Sequence, residues 1–249
     1  MFRFLLDILF PQKQRIRELE AMDPSAFAVK VPKTLARAGP GMMSLFDYRD
    51  PMIRGAIWEL KYRGNKRVAT LLATVMYDEL LAFLEEYAPL TNFTEPLLVP
   101  IPLSKRRERK RGFNQCELLC EEIRRLDSPF PTRLAEASGV AREGSTAVFG
   151  RRDFSPFTKW SSNNARGENF TYSPSVLRKV KDTPSQTKSR NKKERMKNLA
   201  GCFEASIEVS GRNVILIDDV ATTGATLLEA RRALRKSGAR KVIAFTIAH

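Results

Sequence analysis

The sequence predicts an α/β protein, a parallel sheet flanked by helices. Three observations carry this: apolar runs of strand length (PLLVPIP, VILI and KVIAFTIA), segments of helical periodicity between them, and an order that alternates strand with helix. The chain has 249 residues and 43% hydrophobic content, enough for one domain with appendages or two small ones.

Residues 1–44 read as an N-terminal arm. The opening MFRFLLDILFP is apolar, but Asp7 interrupts it and no small-residue cleavage site follows, so no secretory signal is expected. Pro24, Pro32 and Pro40 punctuate the charged stretch behind it, which resembles an appendage more than a core element. The main domain is expected over 45–249. It opens with LFDY, a run from Ile53 to Tyr62, and VATLLATVMYDELLAFLEEY, whose spacing predicts a long packed helix. PLLVPIP predicts a strand, SKRRERKRGFNQ a basic loop and CELLCEEIRRL a helix. Residues 127–175 hold Pro, Ser, Asn, Gly and Arg without a sustained period and predict a long disordered insertion outside the core. A basic stretch, LRKVKDTPSQTKSRNKKERMKNLAGCFEAS, then leads into VILI, the helix ATLLEARRALRKSG closed by Gly238, and the last strand.

Composition narrows the partners. The net charge of +15, from 43 Lys+Arg against 28 Asp+Glu, sets up a positive field that favours phosphates, nucleic acid or anionic surfaces. Cys116 and Cys120 lie one helical turn apart and Cys202 is remote, which gives neither a metal-ligand spacing nor a disulfide framework. All three read as small core residues. A reducing, cytoplasmic setting is expected, and no run approaches a membrane span.

The chemistry concentrates in VILIDDVATTGAT. Val214 to Ile217 lack polar alternation, as for a central parallel strand buried on both faces, so Asp218 and Asp219 emerge at its carboxyl end. Open α/β sheets bind ligands there. Two adjacent carboxylates can accept hydrogen bonds from the neighbouring hydroxyls of a ribose. Thr222, Thr223, Gly224, Ala225 and Thr226 stand where the chain turns into a helix, where unpaired N–H groups and the positive helix end face an anion. Gly224 allows close backbone approach. These residues predict a ribose site beside a 5-phosphate cradle. Upstream, Lys105, Arg106, Arg107, Arg109, Lys110 and Arg111 put six cations in one short segment, either a pyrophosphate grip or a solvated basic loop.

VILIDDVATTGAT resembles the phosphoribosyl pyrophosphate signature of type I phosphoribosyltransferases. The resemblance implies that family's fold, with Asp218 and Asp219 on the ribose hydroxyls and Thr222 to Thr226 around the 5-phosphate. Purine-salvage members carry an aspartate where this chain has Thr222, which argues against that activity. VPIPLSKRRERKRGFNQ resembles the VPVPLS…RGFNQ phrase of the ComF family of competence-associated proteins, as do FDYRDPMIRGAIWELKYRGN and the basic stretch downstream. That stretch is also similar to the mobile hood loop of amidophosphoribosyltransferases. By this likeness Lys181, Gln186, Arg195 and Lys197 fold over a bound pyrophosphate; a basic linker is the alternative. The family's zinc ribbon is absent, since no cysteine precedes Cys116 and His249 is the only histidine, so no zinc is expected.

The resemblance implies phosphoribosyl pyrophosphate or a related sugar phosphate as ligand, with Mg²⁺ bridging pyrophosphate and ribose oxygens, and a place in DNA uptake. A phosphoribosyltransferase would stabilise the departing pyrophosphate electrostatically. No residue offers itself as nucleophile or strong general base, so no catalytic residue is assigned. A non-catalytic accessory that binds single-stranded DNA, using Arg106, Arg107, Arg111 and aromatics such as Phe113, Phe154, Phe157 and Trp160, remains open. So does a ligand-sensing regulator on the same fold.

Overall fold

The computed structural model describes residues 11–34, 36–39, 41–128, 168–182 and 199–249. Its centre is the strand Asn213–Val220, which takes in the whole apolar run and both aspartates. In chain order the described elements are α1 (Pro11–Ala21), α2 (Pro24–Lys30), β1 (Ala36–Gly39), β2 (Met42–Phe46), α3 (Pro51–Arg63), α4 (Lys66–Thr91), β3 (Leu97–Pro100), α5 (Lys105–Arg111), α6 (Gln115–Asp127), β4 (Thr171–Tyr172), β5 (Leu177–Lys179), β6 (Phe203–Ala205), β7 (Asn213–Val220), α7 (Ala225–Lys236) and β8 (Lys241–Ala248). One sheet runs β1-β2-β8-β7-β3-β4. β1 lies antiparallel at its edge, and the other five strands are parallel. β5 and β6 form a separate antiparallel ribbon.

Strand alternation divides the core into two layers. Ile215, Ile217, Ile243 and Phe245 face α3, α4 and α6. Val214, Leu216, Val242 and Ala244 face α7 and the β5–β6 ribbon. Both sides of β7 are therefore covered, which is why its sequence shows no polar period. Register then levels the site: Pro100 pairs with Ile217, so the turn after β3 leaves the sheet beside Asp218.

Two expectations change. The N-terminal arm is not a mere appendage: Leu19, Phe27 and Val31 are buried in the larger core layer. Phe27 meets Phe46 edge to face at 5.6 Å. Asp23 caps α2 by accepting from the amides of Ser25 and Ala26, both at 2.9 Å. The arm's last residues, Met42 to Ser44, belong to β2, so the boundary at 44/45 falls inside a strand.

The second change concerns residues 127–175, whose margins belong to the domain. Asp127 is buried and accepts from Asn169 Nδ2 at 2.7 Å, the Phe170 amide at 2.9 Å and Tyr77 Oη at 3.2 Å. Phe170 is in the core, and Thr171 and Tyr172 add β4 to the sheet beside β3. The remainder of the expected insertion, 129–167, lies outside the described residues.

Candidate ribose-phosphate site

Asp218 and Asp219 lie near the carboxyl end of β7, 8% and 3% exposed. Adjacent strand residues point to opposite faces, and each carboxylate meets a different helix. Asp218 Oδ1 accepts from the Asp219 amide at 2.9 Å and from Cys116 Sγ on α6 at 3.4 Å. Asp219 Oδ1 accepts from the Val220 amide at 2.9 Å, while its Oδ2 lies 2.8 Å from Lys61 Nζ on α3. One ligand atom each from Cys116, Asp218 and Asp219 falls within 4.8 Å of the others.

The electrostatics follow from crowding two carboxylates in a dry place. Burial, then the neighbouring Asp219 charge, push the Asp218 carboxyl up to about 7. Burial depresses the Lys61 ammonium, but the Asp219 carboxylate beside it more than offsets that and holds its pKa above the usual lysine value. Burial and then Asp218 raise the Cys116 thiol well above its ordinary range, so it stands as a neutral donor. A protonated thiol is a poor partner for a hard cation such as magnesium, which prefers oxygen and keeps its own waters. In this cluster the described residues offer that ion carboxylate oxygens, one of them already facing Lys61.

The next loop turns β7 into α7. Gly224 caps the helix with φ +69°, a left-handed conformation. A β-carbon there would stand 3.3 Å from Met42 Sδ. Thr223 Oγ1 accepts from the Ala225 amide at 3.4 Å, and the helix proper starts with the Leu228 amide bonded to the Gly224 carbonyl at 2.8 Å. The amides of the turn between them point out of the helix end, in the direction from which an anion would approach. Thr222 is exposed at the loop's crest.

The basic segment forms a short helix, α5, rather than the expected loop, and buries none of its residues. Its cations divide. Lys105 and Arg106 are exposed, whereas Arg107 and Arg111 are half-buried. Arg111 stacks over the Tyr62 ring at 5.5 Å and hydrogen-bonds Gln115 Oε1. Phe113 packs against Gly64, where φ is +58° and an added β-carbon would meet the ring at 3.1 Å. The KYRGN and RGFNQ phrases are thus docked on each other. From the β5–β6 ribbon, Lys181 is exposed with its Nζ near Gly201. Gln186, Arg195 and Lys197 lie outside the described residues, as do Phe154, Phe157 and Trp160.

Several participants are not legible in the sequence. Lys61 stands in the KYRGN phrase without a marked role, because nothing local singles out a lysine that reaches a distant strand. Cys116 is buried, as a small core residue should be, and it also donates to Asp218. Lys179, at the root of the basic stretch, sits over the Phe203 ring at 5.3 Å. Burial lowers its pKa, Cys202 opposes that, and Arg107 and Asp218 are near enough to act on it in opposite senses. The same stretch is anchored at its far end by the Gly201 amide, which donates to Glu229 on α7 at 2.6 Å.

Part of the chain matches a known domain family, and most of it is similar to known proteins. Residues 170–249, which carry β4 through β8 and both aspartates, match the phosphoribosyl transferase domain family. The chain is 27% identical to the DNA utilization protein YhgH of Salmonella typhi over 202 residues, 81% of this chain and 68% of that protein. It is 29% identical to the competence protein ComFC of Bacillus subtilis over 207 residues, 82% and 62% of the two chains. A match to competence protein F of Haemophilus influenzae is 28% identical over 149 residues, 58% and 46% of the two. The chain is similar over most of its length to competence proteins of the ComF kind and carries a phosphoribosyl transferase domain. In this protein the signature strand and loop are one local unit, whereas α3 and α6 bring Lys61 and Cys116 to it from the part of the chain that precedes the matched domain. Among the described residues no helix is long and apolar enough to cross a membrane.

Proposed function

We propose that this protein, a ComF-like phosphoribosyltransferase-domain protein, binds phosphoribosyl pyrophosphate, or a related ribose 5-phosphate, at the carboxyl end of β7. The observation that supports this best is the buried Asp218–Asp219 pair directly ahead of a glycine-capped helix start. The pair supplies acceptors for sugar hydroxyls, and the loop 222–226 supplies amides for a phosphate. Lys179 adds positive charge within reach of Asp218, with Arg107 close to that lysine, where a pyrophosphate would gather. Magnesium would be held chiefly by the ligand's pyrophosphate and ribose oxygens and would neutralise charge on the departing group. Transfer of the ribosyl group to an acceptor is the reaction class such a site serves; Thr222 provides a hydrogen bond there and no base. Relatives named for competence and DNA utilization support a use of the ligand in DNA uptake.

The test is calorimetry of the full chain with phosphoribosyl pyrophosphate and Mg²⁺. Saturable binding that Asp218→Asn with Asp219→Asn abolishes supports the reading, and binding that survives the double variant removes it. Pyrophosphate release on adding nucleophiles then separates an enzyme from a binding protein.

One observation favours a second reading, single-stranded DNA binding. Trp58 and Tyr62 are 45% and 62% exposed and lie 5.5 Å apart, with Arg63 5.2 Å over the first ring and Arg111 over the second. Bases stack on such aromatic and guanidinium faces. A single strand used as second titrant distinguishes independent from competing sites.

A further inference from the structure

We propose that Lys61 is a specificity-determining residue of the sugar site: with Asp219 it receives one ribose hydroxyl and so selects ribo over deoxyribo sugar phosphates. This rests on the ribose-phosphate reading of the site. The starting point is an acceptor with capacity to spare. Asp219 Oδ1 is bonded to the Val220 amide, but among the described residues the buried Oδ2 has only a lysine beside it. Lys61 Nζ stands 2.8 Å from it as an ion pair, and no other donor reaches this oxygen among the described residues. A carboxylate oxygen can accept more than one hydrogen bond, so this one has room for a further donor.

A hydroxyl fits this gap because it donates and accepts at once. It gives its proton to Asp219 Oδ2 and takes one N–H of the Lys61 ammonium, which carries three donors and no acceptor. Asp218 is less available, since its Oδ1 already takes the Asp219 amide and Cys116 Sγ. The lysine is also within a ligand's reach, 24% exposed while its partner carboxylate is 5% exposed. Its helix is fixed at the right end. α3 stops at Gly64 in a left-handed conformation, with Phe113 against that glycine and Arg111 over Tyr62. Lys61 therefore projects from a held helix end into the sugar site.

Charge gives the lysine a second effect. A phosphorylated sugar is anionic, and an uncompensated Asp219 carboxylate would repel it at close range. Lys61 cancels that charge while keeping the carboxylate an acceptor.

The experiment is calorimetry on the full chain with four probes: ribose 5-phosphate, 2-deoxyribose 5-phosphate, 3-deoxyribose 5-phosphate and inorganic phosphate. The wild type is expected to bind ribose 5-phosphate about tenfold tighter than at least one deoxy sugar, the scale of one hydrogen bond to a charged group. In Lys61→Met that ratio should fall to within about twofold while inorganic phosphate binds as before, and Lys61→Arg should keep part of the preference. Unchanged ratios in Lys61→Met overturn the proposal and leave the wider reading intact. Loss of phosphate binding along with sugar binding shows a structural role and overturns it too. A wild type that binds no ribose 5-phosphate overturns both. Should Lys61→Met fail to fold, Lys61→Gln decides by the same ratios.

Discussion

Asp218 holds its proton more tightly in the folded protein than in an unfolded chain, because burial and then the charge on Asp219 oppose its ionisation. Its carboxyl moves from an ordinary 3.8 to about 7. Between those values the folded state keeps a proton that the unfolded state has lost, so this residue makes stability fall as pH rises from about 4 to about 7. Urea denaturation of wild type and Asp218→Asn across that range should show the wild type losing ground as pH rises; parallel curves would contradict the assignment. Gly224 poses a different residue-scale constraint. Alanine there must adopt φ near +69° and press on Met42 Sδ, so Gly224→Ala should cost about 1–2 kcal/mol of stability and weaken phosphate binding. Thermal melting with and without inorganic phosphate checks both effects.

At the scale of elements, the site depends on joints between segments distant in sequence. Asn114 is one: it caps α6 through the Cys116 amide at 3.0 Å and donates to the Ile101 carbonyl at 3.2 Å, which ties the helix to the exit of β3. Asp127 is another, at the opposite end of α6, where its carboxylate fixes Asn169 and Phe170 and thereby docks β4 on the sheet. Asp127→Ala leaves the buried Phe170 amide without that acceptor and should destabilise the protein by about 2 kcal/mol or more. Hydrogen exchange should find the β4 amides exposed first, before those of β7; uniform exchange across the sheet would argue against so local a role.

At the scale of the whole molecule, the +15 net charge acts through its placement. On α5, Lys105, Arg106, Arg109 and Lys110 face solvent, and the half-buried Arg111 joins Arg63 on the exposed rings of Tyr62 and Trp58. If a single strand crosses that surface, Arg63→Gln with Arg111→Gln should reduce the slope of log affinity against log salt by about 0.7 for each phosphate those arginines neutralise. Trp58→Ala with Tyr62→Ala should weaken binding with little change in slope, because stacking releases few counterions. Fluorescence titrations at several salt concentrations read both quantities. Equal slopes in wild type and the arginine variant would place the strand elsewhere.

The sequence by itself determined the parallel sheet, the helices α4, α6 and α7, the aspartate pair at a strand end and the glycine-capped loop after it. These are local features: a strand buried on both faces loses its polar period, and a strand-to-helix turn announces itself through glycine and threonine. Leu19 and Phe27 escaped because two short proline-flanked helices carry little apolar period of their own, and they become core only when α3 and α4 are packed over them. Tyr172 escaped because a two-residue strand has no pattern to read. Tertiary structure alone decided that Lys61 meets Asp219, that Cys116 donates to Asp218, and that Arg111 lies on Tyr62. Such pairings, and the proton that Asp218 keeps, come into being only when distant helices close over the sheet and exclude water, since burial is what makes one charge depend on its neighbour.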